Sequence, residues 1–128
     1  MSFFNNLFGS STSELPEFWH KIESEEDLKL ALEHSTEKPI VIFKHSTRCM
    51  ISKSVLRNFE NEIKNTNQPA IDFYYLDLLN HRNISNEIAE QLKVTHQSPQ
   101  AILIKDQKAI FNASHDRISL DIMTKHLD

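Results

Sequence analysis

Glycine is almost missing from this sequence: Gly9 is the single one among 128 residues. Loops that cradle phosphate need glycines at fixed spacing, so the glycine-rich nucleotide-binding motifs are excluded. Turns must instead be made by Asn, Asp, Ser, His and Pro, which adopt the required dihedrals less freely. Cysteine is equally scarce. Cys49 stands alone, so no disulfide can close within the chain, and a reducing cytoplasm is the expected setting. Long apolar runs are absent as well; the longest are strand-sized, and no stable membrane insertion is expected. Nor is there an excess of positive charge: the formal net charge is −4, which argues against a nucleic-acid partner.

A hydrophobic fraction of 39% with 25% charged residues belongs to a folded chain, and the length suits one domain. Residues 1–15 read as a flexible leader. Met1 to Gly9 is apolar in patches but lacks the basic start and long apolar core of a signal peptide. Ser10-Ser11-Thr12-Ser13 reads as a joint to the folded domain, residues 16–128.

Within that domain Phe18 to Ile22 alternates as a short strand does. Ser24 with Asp27 resembles a capping box, opening a helix through Leu28, Leu30, Ala31 and Leu32. Ile40-Val41-Ile42-Phe43 is a continuous apolar run, the pattern of a strand covered on both faces. After Cys49, apolar residues at Ile51, Val55, Phe59 and Ile63 predict an amphipathic helix. Pro69 introduces a β-prone stretch from Ile71 to Leu78. Ile84, Ile88, Ala89 and Leu92 form a third helical pattern, with Ser85 and Asn86 near its start. Ala101 to Ile104 and Ala109 to Phe111 flank Lys105-Asp106-Gln107-Lys108 as a hairpin, and Ile118, Ile122, Met123 and Leu127 predict a last helix. The order is β-α-β-α-β-α-β-β-α, a central mixed β-sheet flanked by helices. That α/β order is the thioredoxin-like fold.

The chemistry gathers around Cys49. A thiol reacts as its thiolate, and a free one ionises near pH ~8.5. Cys49 opens a helix after a strand, where unpaired N–H groups and the helix dipole favour an anion. Lys44, Arg48 and Lys53 add cations nearby in sequence, with no acid between Pro39 and Phe59. The alternative is a small buried cysteine without reactivity. Pro99 opens the strand after the third helix, and a cis bond there would turn the backbone of Gln97 and Ser98 toward the thiol. Cys49 and His45 are not at helical spacing across the intervening turn, and the other histidines are scattered, so no metal site is expected.

Phe43-Lys44-His45-Ser46-Thr47-Arg48-Cys49-Met50-Ile51-Ser52 resembles the active-site segment of the YtxJ-type monothiol bacilliredoxins, thioredoxin-fold proteins of the bacillithiol system. Val94 to Gln100 and Ser114 to Ile118 resemble further blocks of that family, in the same order. The resemblance spans roughly residues 18–127. It implies removal of bacillithiol from mixed disulfides on cytosolic client proteins, with Cys49 as catalytic thiol and Pro99 as cis-proline. No bound cofactor is implied; bacillithiol is a thiol co-substrate, and a second low-molecular-weight thiol must clear Cys49. The expected substrate-binding positions are Lys44, His45, Thr47, Arg48, Met50, Gln97, Ser98, Pro99 and His115. Of these, Arg48, Lys44 and His115 are the candidates for the malate group of bacillithiol. His115 has an alternative role as a turn residue capping the last helix. The family often has Thr-Cys-Pro-Ile-Ser here; Arg48 replaces the Thr and Met50 the Pro. Two rival functions stand beside this one. One is a non-catalytic thioredoxin-fold scaffold; the other is a monothiol glutaredoxin-like protein using another small thiol or a shared iron–sulfur cluster.

Overall fold

The computed structural model describes residues 15–67 and 70–127. Residues 1–14 of the leader, and Pro69, lie outside them. Leu15, at the leader's end, is half-buried against the core.

Strands β1 (Trp19–Lys21), β2 (Ile40–His45), β3 (Asp72–Asp77), β4 (Gln100–Lys105) and β5 (Lys108–Ser114) form one sheet in the order β1-β3-β2-β4-β5. β1, β3 and β2 run parallel, and β4 and β5 antiparallel to their neighbours. Helices α1 (Glu25–His34) and α3 (Arg82–Leu92) cover one face, and α2 (Met50–Asn65) and α4 (Leu120–Lys125) the other. Successive side chains of a strand point to opposite faces. In β2, Ile40 and Ile42 therefore meet Leu28, Leu32, Ile84 and Ile88, whereas Val41 and Phe43 meet Leu56, Phe59, Leu120 and Met123. Both faces being covered explains why β2 reads as an unbroken apolar run. Trp19 sits amid Phe18, Phe43, Phe59, Phe73 and Tyr75, with ring centroids between 5.5 and 6.3 Å away. Its indole N–H donates to Glu60 Oε2 at 2.7 Å, tying β1 to α2.

Local chemistry sets most boundaries. Ser24 caps α1 by accepting from Asp27 N at 3.0 Å, while Asp27 Oδ2 accepts from Glu23 N at 2.9 Å, one residue before a standard capping box. In α2 the buried stripe is Ser52, Leu56, Phe59 and Ile63, and Ile51 is 61% exposed. Four-residue spacing drifts about 40° per step around a helix, so Ile51 has left the face that Ile63 occupies. Ser85 lies inside α3, which is opened by His81 instead of a serine or asparagine. The last helix is shorter than its apolar spacing predicts. A single 3-10 turn, His115–Arg117, precedes it, Ser119 caps it, and Ile118 falls before it. Ile110 is the extra residue where the β4–β5 pairing shifts, so it points outward, 40% exposed.

Candidate functional site

Strand register brings the chemistry to one end of the sheet. Lys44 pairs with Gln100, and Gln100 with Ser114. The segments after β2, before β4 and after β5 therefore emerge side by side. Cys49, Pro99 and His115 lie on those segments.

Cys49 is the N-cap residue of α2, in extended conformation, and its thiol is half-buried. Its N–H donates to Ser46 O at 3.2 Å, closing the turn, and its C=O accepts from Lys53 N at 3.0 Å as the first helical bond. The side chain accepts no capping hydrogen bond. The amide N–H groups of the first turn thus point past a sulfur instead of an oxygen, the arrangement that favours an anion at a helix start.

Ser52 lies three residues after Cys49, the place of the second thiol in a Cys-X-X-Cys site. Its hydroxyl is buried. Oγ accepts from Ser46 N at 3.1 Å and lies 2.7 Å from His45 Nδ1. This network locks the turn leading to Cys49 onto the first turn of α2. His45 is buried, and its pKa is lowered, by burial first, with Lys53 adding to the effect and Asp77 opposing it. A neutral imidazole follows near pH 7. Ser52 is the buried polar residue of this turn that hydrophobic periodicity passes over, because it occupies an inward-facing position of α2 with a polar side chain. The Cys-X-X-Ser spacing is the signal that finds it.

Lys44 departs from the sequence expectation. Placed next to the thiol by sequence, it alternates with His45 along β2 and faces α3, the opposite side of the sheet from α2. Its side chain is fully buried, with Nζ donating to Ser85 O at 3.2 Å and 3.4 Å from His96 Nδ1. Burial lowers its pKa to about 8. Lys44 is thus a buried prop beneath the segment leading to Pro99 and no part of a cationic pocket around the sulfur. His96, beside it, has its pKa lowered by burial and by the charges of Lys44 and Arg82.

The Ser98–Pro99 peptide bond is cis, and Pro99 is buried. Gln100 braces this segment, its Nε2 donating to Thr95 O at 3.0 Å while its Oε1 accepts from Gln97 N at 3.4 Å. Gln97 is exposed, and Ser98 Oγ is buried without a partner among the described residues. His115 N donates to Pro99 O at 3.2 Å, which fixes the end of β5 against this segment. His115 has a φ of 56° and an exposed side chain. It opens the 3-10 turn; the capping of α4 belongs to Ser119, whose Oγ accepts from Ile122 N at 3.4 Å. Thr47, Arg48 and Met50 are exposed around the thiol, Met50 to 78%. Among the described residues no three His, Cys, Asp or Glu side chains converge as a metal would require, and no helix is long and apolar enough to cross a membrane.

The family model of the monothiol bacilliredoxin BrxC matches residues 20–123. The chain belongs to the monothiol bacilliredoxin family. Its solved structural neighbours are thioredoxin-like. A protein assigned as an oxidoreductase with a thioredoxin fold superposes with a TM-score of 0.71 at 25% identity, covering 87% of this chain and 95% of that one. Thioredoxin from Malassezia sympodialis follows at 0.68 and 22%, covering 84% and 90%. Fasciola hepatica thioredoxin gives 0.65 and 20%, covering 84% and 98%. Membership in the bacilliredoxin family gives the chain a thiol redox role. The single thiol at the head of α2 is the group that suits it.

Proposed function

We propose that this chain removes bacillithiol from mixed disulfides on cytoplasmic client proteins, carrying the small thiol on Cys49 between two exchange steps. The observation that carries this reading is the pairing of one accessible thiol at a helix N-cap with a buried serine where a resolving thiol would stand. Exchange needs an attacking thiolate, access and a leaving group, and no metal or bound cofactor.

In the first step the Cys49 thiolate attacks the bacillithiol sulfur of the mixed disulfide. The client–bacillithiol S–S bond breaks and a Cys49–bacillithiol S–S bond forms. The client departs as thiolate and takes a proton from solvent. Ser52 cannot attack that adduct, so a second low-molecular-weight thiol does. Its thiolate bonds to the bacillithiol sulfur, and Cys49 leaves as the thiolate. The products are a small-molecule disulfide and the starting enzyme, so electrons balance without a further oxidant. Exposed Met50 and Ile51, which follow Cys49 in the first turn of α2, offer an apolar platform to a client chain. The backbone of Gln97 and Ser98, before the cis bond, offers polar contacts from its carbonyl groups. A lone unpaired cysteine fits the reducing cytoplasm.

The test uses a client with a single bacillithiolated cysteine and follows release of its thiol. The chain with Cys49 intact is expected to restore the client thiol, and Cys49→Ser to restore none. Equal release by both proteins would leave the scaffold reading in its place.

A further inference from the structure

At the C-terminal ends of β1, β2 and β3, the end of the sheet from which the Cys49 segment leaves β2, lies a cavity of about 650 Å³. Thr47 and Lys53, on either side of Cys49 in sequence, line it, and Arg57 continues the same wall one helical turn beyond Lys53. Lys21 faces them from the end of β1. The ion pairs among the described residues are His34–Asp72, Lys38–Asp72 and Lys125–Asp121, so none of the three cavity cations is in an ion pair with a described carboxylate.

The acids in the same cavity are differently placed. Glu23 is exposed at its rim. Glu60 Oε2 is taken by the Trp19 indole at 2.7 Å. Asp77 Oδ2 accepts from Asn80 Nδ2 at 2.8 Å, but Asp77 Oδ1 is buried with no partner among the described residues. A buried acceptor left unsatisfied costs free energy that a donor on a ligand would recover. Burial, with the charges of Asp77 and Glu60 next, raises the Tyr75 pKa to about 12, so its phenol remains a donor at neutral pH. The cavity therefore combines cations and a buried acceptor that have no partner among the described residues with a hydroxyl donor.

We propose that this cavity holds the non-sulfur part of the low-molecular-weight thiol, with carboxylates against Lys53, Arg57 and Lys21 and a hydroxyl or ammonium group against Asp77. The ligand class is a small thiol bearing both carboxylates and sugar-like donors, which bacillithiol satisfies. The assignment rests on the proposed function for the reaction at Cys49, which stands between the lining residues Thr47 and Lys53 in sequence without lining the cavity itself. It moves the anion-binding role from Lys44, Arg48 and His115 to Lys53, Arg57 and Lys21.

The full chain carrying Cys49→Ser binds without reacting, and S-methyl bacillithiol is the probe. Backbone NMR shifts on titration are expected at Thr47, Lys53, Arg57 and Asp77. Lys53→Gln with Arg57→Gln, both at exposed positions, is expected to weaken binding about tenfold. Lys53→Arg with Arg57→Lys is expected to retain it. In the chain with Cys49 intact, the Gln pair is expected to lower the ratio of bacillithiol to cysteamine removal rates about tenfold. Shifts confined to Arg48 and His115, or a Gln pair that binds as tightly as the parent, would overturn the cavity assignment while leaving the exchange reaction standing. Binding in the cavity by a chain that never releases bacillithiol from a client would do the reverse.

Discussion

At the residue scale the decisive contrast is between Lys44 and His45, neighbours in β2 that end on opposite faces of the sheet. His45 reaches α2 and the Ser52 network; Lys44 is buried under α3 without a carboxylate partner among the described residues. Linear proximity to Cys49 suggests that both serve the thiol, and the two-residue period of a strand separates them. Burying an uncompensated ammonium costs stability. Because the folded pKa of Lys44 is lowered from 10.5 to about 8, its contribution is fully present above pH 10.5 and lost as pH falls through 8. Lys44→Met is therefore expected to stabilise the fold by about 1–3 kcal/mol at pH 7, with the gain shrinking toward pH 10. Urea midpoints of both proteins at the two pH values check this. A destabilised variant at pH 7 would show that the Lys44 contacts to Ser85 and His96 outweigh the desolvation cost. His45 follows the same sign in a lower window: its contribution is present above its ordinary pKa of 6.5 and lost as the solution is acidified through its lowered folded value.

At the element scale the β4–β5 hairpin shows what a near absence of glycine costs. Its two turn residues, Asp106 and Gln107, have φ values of 53° and 64°, a conformation that glycine adopts most easily. Ser35, at the end of α1, holds the turn. Its C=O accepts from Asp106 N at 2.9 Å and its Oγ from Gln107 N at 2.8 Å. Gln107→Gly is expected to raise stability by about 1 kcal/mol, measured by chemical denaturation. A loss would mean that the Gln107 side chain contributes more than its backbone conformation costs. The hairpin itself is legible in the sequence from two apolar runs around a polar turn, but the Ser35 clamp is not, because it joins residues about 70 positions apart. Helix α2 is legible too, whereas its inward face is not read correctly from four-residue spacing alone. The C-terminal helix is misjudged in length for another reason: Ile118 and Ile122 share its apolar spacing, yet the 3-10 turn and the Ser119 cap delay its start.

Across the whole molecule, three segments, carrying Cys49, Pro99 and His115, meet at one end of a mixed sheet. The order of strands and helices, and with it the thioredoxin fold, is legible because β2 and β4 are continuous apolar runs and the helices between them are amphipathic. The thiol is legible as well, from its place between β2 and α2. The cavity at that end of the sheet is not. Lys21 comes from β1, Lys53 and Arg57 from α2 and Asp77 from β3, and the β1-β3-β2 order brings these three elements to one cavity. Met50 and Ile51 add a second asymmetry, an apolar surface on the solvent side of the thiol. Met50→Asp with Ile51→Asp is expected to slow release of bacillithiol from a folded client more than from a small mixed disulfide, compared by kcat/KM. Equal slowing of both would place these residues outside client docking.

The most direct test of the account is the intact mass of the chain after brief mixing with a bacillithiolated client, with Cys49→Ser beside it. The account predicts that the chain gains one bacillithiol, mapped to Cys49, as the client loses one, and that added free thiol then removes it. A client that becomes free while the chain never carries the adduct, or an adduct that forms equally on Cys49→Ser, would contradict it.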